Sequence, residues 1–195
     1  MNEVYNNMLN RRSIRKFKCD AIKDEDIDVM LKAAMAAPSA CNKQPWEFYV
    51  IKSSDKLSLV KASGRYTNMN APLAIVVCGN HDRCLSKKDN DFFIQDCSSA
   101  ITHILLCAES LGLGSLWCGA YPMKSVVNKL RMALELDEKI IPLGIVYVGY
   151  PDEDKEPRTQ YNEKYIVRAI TQEEVLQHVC DPGWGDHNIM KNIFI

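Results

Sequence analysis

Pro72 opens a run of unbroken apolar residues, Leu73-Ala74-Ile75-Val76-Val77-Cys78, and no other feature limits the possible folds so tightly. A strand facing water on one side alternates apolar and polar residues, whereas this one offers no polar face. It therefore reads as a strand buried on both sides. The longest helical pattern, from about Asn90 to Leu111, carries a wide apolar stripe through Phe93, Cys97, Ala100, Ile101, Ile104, Leu105 and Ala108. Gly112 and Gly114 are expected to end it. A stripe that broad belongs in a core or across a subunit interface.

The remaining patterns alternate between helix and strand without a linker or repeat, which predicts one domain over 1–195. Val4 and Met8 suggest a short first helix. Asp24, Glu25 and Asp26 crowd the start of a second, where carboxylates complement exposed N–H groups, and Pro38 stops it. Trp46 to Ile51 reads as a strand with Trp46, Phe48 and Val50 on one face. Ser54 to Lys61 reads as a helix, Ser115 to Ala120 as a short strand, Pro122 to Leu134 as a helix and Ile140 to Tyr150 as a strand. Thr171-Gln172-Glu173-Glu174 is a capping box for a helix ending near Cys180. The tail 181–195 ends on Ile193, Phe194 and Ile195, too apolar to stay solvated, and is expected to dock on a second subunit.

A formal net charge of −1 gives the chain no general attraction to nucleic acid or an anionic surface. No stretch reaches the length of a membrane span, and the polar start lacks an apolar signal core, so a cytoplasmic protein is expected. Several of the eight cysteines fall within apolar patterns, as reduced thiols do in such a compartment.

The positive charge is local. Arg11, Arg12 and Arg15 surround Ser13, and guanidinium groups hold phosphate oxygens through paired hydrogen bonds. Pro38-Ser39-Ala40-Cys41-Asn42-Lys43-Gln44-Pro45 is a rigid polar turn whose hydroxyl and amide groups suit a heteroatom-rich ring edge. In Gly112-Leu113-Gly114-Ser115-Leu116-Trp117-Cys118-Gly119 the spacing is wrong for a dinucleotide loop and the segment follows a helix. Gly119 is better placed to let a flat ligand approach the backbone. Arg158 is a further candidate phosphate donor. Taken singly, each has a plainer explanation: a solvated basic stretch, a connector, helix-stop glycines, a surface charge. Cys78, His81 and Cys84 are spaced by two and His103 and Cys107 by one turn, but no compact four-ligand zinc pattern appears.

In their order and spacing these segments resemble the flavin-dependent nitroreductase family over nearly the whole chain. The resemblance implies an α+β three-layer sandwich, its mainly antiparallel sheet flanked by helices, in an intertwined homodimer with two cofactor sites at the interface. It implies that Arg11, Arg12, Ser13 and Arg15 bind the FMN phosphate and ribityl region, with Arg158 as a further contact. Pro38, Ser39, Ala40 and Asn42 would meet the flavin from the partner subunit, and the backbone around Trp117, Cys118 and Gly119 would face its ring. A polar residue of 65–70, Asn68 or Asn70, would lie near the pyrimidine edge. NADH or NADPH would be the reductant and an electron-poor nitroaromatic or quinone the acceptor, with no protein acid or base and no metal. A flavin-sequestering protein, a relative that dehalogenates its substrate or fragments the flavin, and a zinc-dependent interaction module are the alternatives.

Overall fold

The computed structural model describes residues 2–85 and 91–167. The chain divides into two compact units, Met1–Arg158 and Thr159–Ile195. Of the second, the described part holds a single 3₁₀ turn, Glu163–Tyr165, capped by the Asn162 side chain, which accepts the Lys164 N–H at 3.0 Å. The helix expected from Thr171 and the apolar tail 181–195 lie outside the described residues.

The first unit runs α1 (Glu3–Asn10), α2 (Asp24–Met35), β1 (Trp46–Ile51), α3 (Ser54–Lys61), β2 (Leu73–Asn80), α4 (Phe92–Ser110), β3 (Gly114–Gly119), α5 (Lys124–Leu134) and β4 (Ile140–Gly149). The four strands form one sheet of order β1-β2-β4-β3 in which every pairing is antiparallel. The two central strands, β2 and β4, are buried along nearly their whole length. Leu73, Ile75 and Val77 join one apolar cluster, with α2 and α4; Ala74, Val76 and Cys78 join another, with α3 and α5. Successive strand residues point to opposite faces, so the unbroken apolar run of β2 serves two cores. The result is the three-layer α+β sandwich that the resemblance implied.

Parity breaks once. The register between β2 and β4 shifts between Val77 and Cys78, whose partners are Gly144 and Pro142, leaving Leu143 as the extra residue. This bulge puts Leu143 in the same cluster as Val146 and Val148, although strict alternation would send it to the other face. Pro142 lies beyond the paired span of β3, which ends at Gly119 opposite Gly144. The proline sits at the bulge, where the regular ladder is interrupted and a missing N–H is tolerated.

The helices start and stop for local reasons. Asn2 caps α1 by accepting the Tyr5 N–H at 2.8 Å, and three carboxylates occupy the first turn of α2. Gly112 follows the α4 cap at φ +70°, a left-handed conformation that suits glycine. Gly114 has a different role from the helix stop expected of it: it opens β3, where an added Cβ would lie 3.0 Å from Ile14. Helix α5 begins at Lys124 rather than Pro122, because Met123 is still extended and acts as the cap.

Candidate functional site

Beyond α1 the chain runs alongside β3 as an extended segment. Ser13 makes a parallel bridge with Ser115, and the Ile14 N–H donates to the Ser115 carbonyl at 3.0 Å. Ile14 and Phe17 are buried, which anchors the segment and leaves the polar residues between them near the surface. Between this segment, β3 and α4 lies an open cleft of ≈430 Å³ lined by Arg11, Ser13, Thr102, Leu105, Trp117 and Gly119. Its volume is within the range of small-molecule sites.

Of the residues singled out from sequence, the fold brings Arg11, Ser13, Trp117 and Gly119 together at this cleft. An ideal Cβ on Gly119 would meet nothing within 4 Å, so the backbone of the β3 end faces open space. Trp117, 37% exposed, stands two residues away on the same face of the strand. Its indole Nε1 would lie 2.4 Å from a Cβ on Gly144, so the neighbouring strand must carry glycine there to seat the ring. Cys118 points the other way, into the α3–α5 core, with its sulfur 3.3 Å from the Tyr66 carbonyl. Burial pushes the thiol up to about 11, with the Arg15 charge pulling it back, so it stays protonated at neutral pH.

The guanidinium groups of Arg12 and Arg15 are engaged in holding the chain. Arg12 donates from its guanidinium to the Glu156 carbonyl, and Arg15 donates to the Ser13 carbonyl at 3.3 Å. Arg158 is exposed, and its backbone N–H donates to the Leu9 carbonyl at 3.0 Å. Lys155, to which the sequence assigns no role, donates from Nζ to the Ser13 carbonyl at 2.6 Å and pairs with Glu153 at 3.0 Å. Glu153 in turn accepts the backbone N–H groups of Arg15 and Lys16. The Lys18 N–H donates to Tyr150 and the Asp152 N–H to Lys16, each at 2.9 Å. Residues 150–158 are thus laced along residues 9–18. Arg11 lies close enough to the half-buried Glu109 at the end of α4 to offset part of the rise that burial imposes on that carboxyl.

The turn containing Pro38, Ser39, Ala40 and Asn42 precedes β1, at the opposite sheet edge from β3. Three strand spacings separate those edges, about 14 Å, so one chain does not bring this turn to its own cleft. Its backbone is unusual: Cys41, Asn42 and Gln44 have φ of 48°, 54° and 49°. Non-glycine residues in that region persist only where the surroundings fix them. The Gln44 N–H donates to Ser39 Oγ at 3.0 Å, Gln44 Nε2 to Asn42 Oδ1 at 2.8 Å, and the Ala40 N–H to Asp96 Oδ1 at 2.8 Å. Asn70 does not reach the cleft. It clips the extended segment by accepting from the Phe17 N–H at 3.3 Å and donating to the Phe17 carbonyl at 2.9 Å. Among the described residues no three His, Cys, Asp or Glu converge to hold a metal. His103 ties α4 to α2 through Nδ1, 2.9 Å from the Ala33 carbonyl.

Asp96 is 4% exposed and its Oδ2 finds no hydrogen-bond partner among the described residues. Burial raises its carboxyl above the ordinary Asp value of 3.8, with the Ala40 N–H pulling back. The native state therefore holds this proton more tightly than the unfolded chain, and stability falls as pH rises through that window. Asp96→Asn keeps the acceptor for Ala40 and removes the buried charge. It is expected to be more stable than the parent at neutral pH by about 1 kcal/mol. Thermal melts should show the advantage shrinking as pH approaches the ordinary Asp value.

The model of the nitroreductase family matches residues 8–68 and 60–150. The chain belongs to the nitroreductase family. An Archaeoglobus fulgidus protein, provisionally named an NADH dehydrogenase/NAD(P)H nitroreductase, is 43% identical over 158 residues, 80% of this chain and 90% of that one. A Bacteroides thetaiotaomicron crystal structure under the same provisional name is 38% identical, with a TM-score of 0.80 over 85% of this chain and 96% of that one. A Desulfovibrio desulfuricans protein, provisionally called a nitroreductase and crystallised in complex with FMN, is 27% identical, with a TM-score of 0.75 over 87% of this chain and 98% of that one. Thr102 and Leu105 line the cleft in this member, yet nothing in the sequence distinguishes them: Leu105 continues the apolar stripe of α4, and Thr102 bonds back to Ser98 as helical threonines do.

Proposed function

We propose that this chain is an FMN-dependent NAD(P)H oxidoreductase of electron-poor small molecules such as nitroaromatics and quinones, acting as a cytoplasmic homodimer. The observation that carries the proposal is the conjunction of Arg11 and Ser13 with the open backbone at Gly119 in a single cleft. The donors suit a phosphate and a ribityl chain. The glycine leaves room for a ring to lie against the strand, and Trp117 and Leu105 supply apolar walls. The residues therefore fit the flavin. Family membership and the FMN-bound relative support the same cofactor, and the names of the relatives support a nicotinamide reductant.

The chemistry that FMN supplies when bound is transfer of two electrons from a reduced nicotinamide to an acceptor. The chain's own part is binding and electrostatics. Arg11 and Ser13 hold the phosphate end, with Arg12, Arg15 and Arg158 adding positive charge around it. By the family resemblance the backbone around Trp117, Cys118 and Gly119 faces the ring, where an N–H group would favour negative charge on it. An open cleft admits donor and acceptor in turn, which gives ping-pong kinetics.

Pro38, Ser39, Ala40 and Asn42 complete the site from the partner subunit, because their own cleft is a sheet-width away. Helix α1 supports the dimer: it buries no residue within its own chain, and Val4, Tyr5 and Met8 stand exposed along it. The apolar tail 181–195 docks on the same partner. Free thiols at all seven described cysteines are consistent with a reducing compartment.

The test is an absorbance spectrum of the purified protein followed by anaerobic NADH or NADPH titration. Yellow protein that bleaches on titration and recovers with a quinone is the expected result. Protein that neither carries nor takes up FMN would remove the proposal. Flavin that binds but is not reduced would leave a carrier.

A further inference from the structure

Glu153 sets an acidic group within the most basic part of the chain. Simple electrostatics would count it a handicap to any anion site beside it, and its removal an improvement. The contacts point the other way. One carboxylate oxygen, Oε1, accepts two successive backbone N–H groups, those of Arg15 and Lys16, across 138 and 137 residues of sequence. The same oxygen pairs with Lys155 Nζ at 3.0 Å, and that ammonium donates to the Ser13 carbonyl at 2.6 Å. The pair is sheltered, with side chains 20% and 22% exposed. The Arg15 N–H, then the Lys155 ammonium and the Lys16 N–H, hold the carboxyl below the usual carboxylate range against the rise that burial imposes.

We propose that Glu153 is a positioning residue for anion binding: by accepting the Arg15 and Lys16 N–H groups and seating Lys155 under the Ser13 carbonyl, it fixes the backbone that presents Arg11 and Ser13 to the cleft. In its functional consequence the proposal rests on the flavin reading above; its structural half does not. The other contacts of this segment leave the Arg15 and Lys16 N–H groups to Glu153 among the described residues. Buried Ile14 is tied to β3 by its N–H on the Ser115 carbonyl beside the bridge at Ser13. Buried Phe17 is clipped by Asn70 and bridged to Pro151, and the Lys16 carbonyl accepts the Asp152 N–H. Without an acceptor, two adjacent N–H groups lose the partner they have among the described residues and the ammonium loses its counterion. The curve of chain that aligns the donors then loses its clamp at Arg15 and is held only by the contacts on either side.

Two variants and two readouts decide the matter. Glu153→Gln keeps an acceptor oxygen without the charge, and Glu153→Ala removes both. FMN affinity, read by quenching of flavin fluorescence, is expected to fall by about tenfold in the alanine variant and to stay within about threefold of the parent in the glutamine variant. In protein free of FMN, amide exchange followed by NMR should show the Arg15 and Lys16 amides protected in the parent and in Glu153→Gln, and exposed in Glu153→Ala. If the alanine variant does not fold, Glu153→Asp, one methylene short, should show both losses in weaker form. Affinity unchanged or improved in Glu153→Ala would overturn the proposal, as would equal losses in both variants or unprotected amides in the parent. A parent that binds no FMN would sink the flavin reading alone, leaving amide exchange to judge the clamp.

Discussion

A Gly119→Val variant is expected to fold as the parent does and to lose most of its affinity for FMN. Nothing lies within 4 Å of the Cβ that would be added, so the apo protein has no clash to relieve. Gly119 ends β3 and does not have the positive φ that would make a side chain strained, so the backbone itself accepts valine. The isopropyl group would stand in the space where a ring is proposed to lie. Overpacking a fitted contact costs about 1–3 kcal/mol, which is roughly a fivefold to hundredfold loss in affinity. Gly144→Ala makes the opposite prediction one strand away. Its Cβ would fall 2.4 Å from Trp117 Nε1 and 3.1 Å from the Cys118 carbonyl, and the backbone atom cannot move aside. That variant should lose about 1–3 kcal/mol of stability, a large share of the roughly 5–15 kcal/mol available to a domain. Thermal melts of the apo proteins beside FMN titrations separate the two. Equal melting temperatures for both, or undiminished FMN affinity in Gly119→Val, would contradict the placement of the cleft.

These two glycines mark where sequence reasoning stops. The layers were legible because each follows from a local pattern. An unbroken apolar strand needs cover on both faces, and the stripe on α4 and the acidic start of α2 fix helices in place. Which edge of the sheet a segment joins is not local. The bridge from Ser13 to Ser115 and the lacing of 9–18 by 150–158 join residues more than a hundred apart, and no periodicity encodes such pairings. The basic cluster was visible as a candidate anion site, but its division of labour was not. Nothing local in the sequence assigns Lys155 its place, with the ammonium on the Ser13 carbonyl. The bulge at Leu143 was hidden too, since Pro142 interrupts a strand pattern without saying where parity flips. Asn70, a candidate for the ligand by resemblance, proves to be a backbone clip on Phe17.

That division of labour predicts how the arginines will differ. Arg11 lines the cleft with Ser13, whereas Arg12 is bonded to Glu156 and Arg15 to the Ser13 carbonyl. Arg11→Ala should therefore remove a direct charge-assisted contact to phosphate, worth about 1.5–3 kcal/mol, or roughly tenfold to a hundredfold in FMN affinity. Arg12→Ala should act instead by freeing the Glu156 carbonyl and loosening the clamp. Riboflavin, which has the ring and ribityl chain but no phosphate, tells the two mechanisms apart. A lost phosphate contact weakens FMN and leaves riboflavin unchanged, while a loosened cleft weakens both. Arg11→Ala is expected to narrow the gap between the two ligands, and Arg12→Ala to preserve it. The FMN loss in Arg11→Ala should also shrink at high salt, since an exposed ion pair is screened over about 10 Å at 0.1 M ionic strength. Parallel weakening of FMN and riboflavin in Arg11→Ala would move the phosphate away from Arg11.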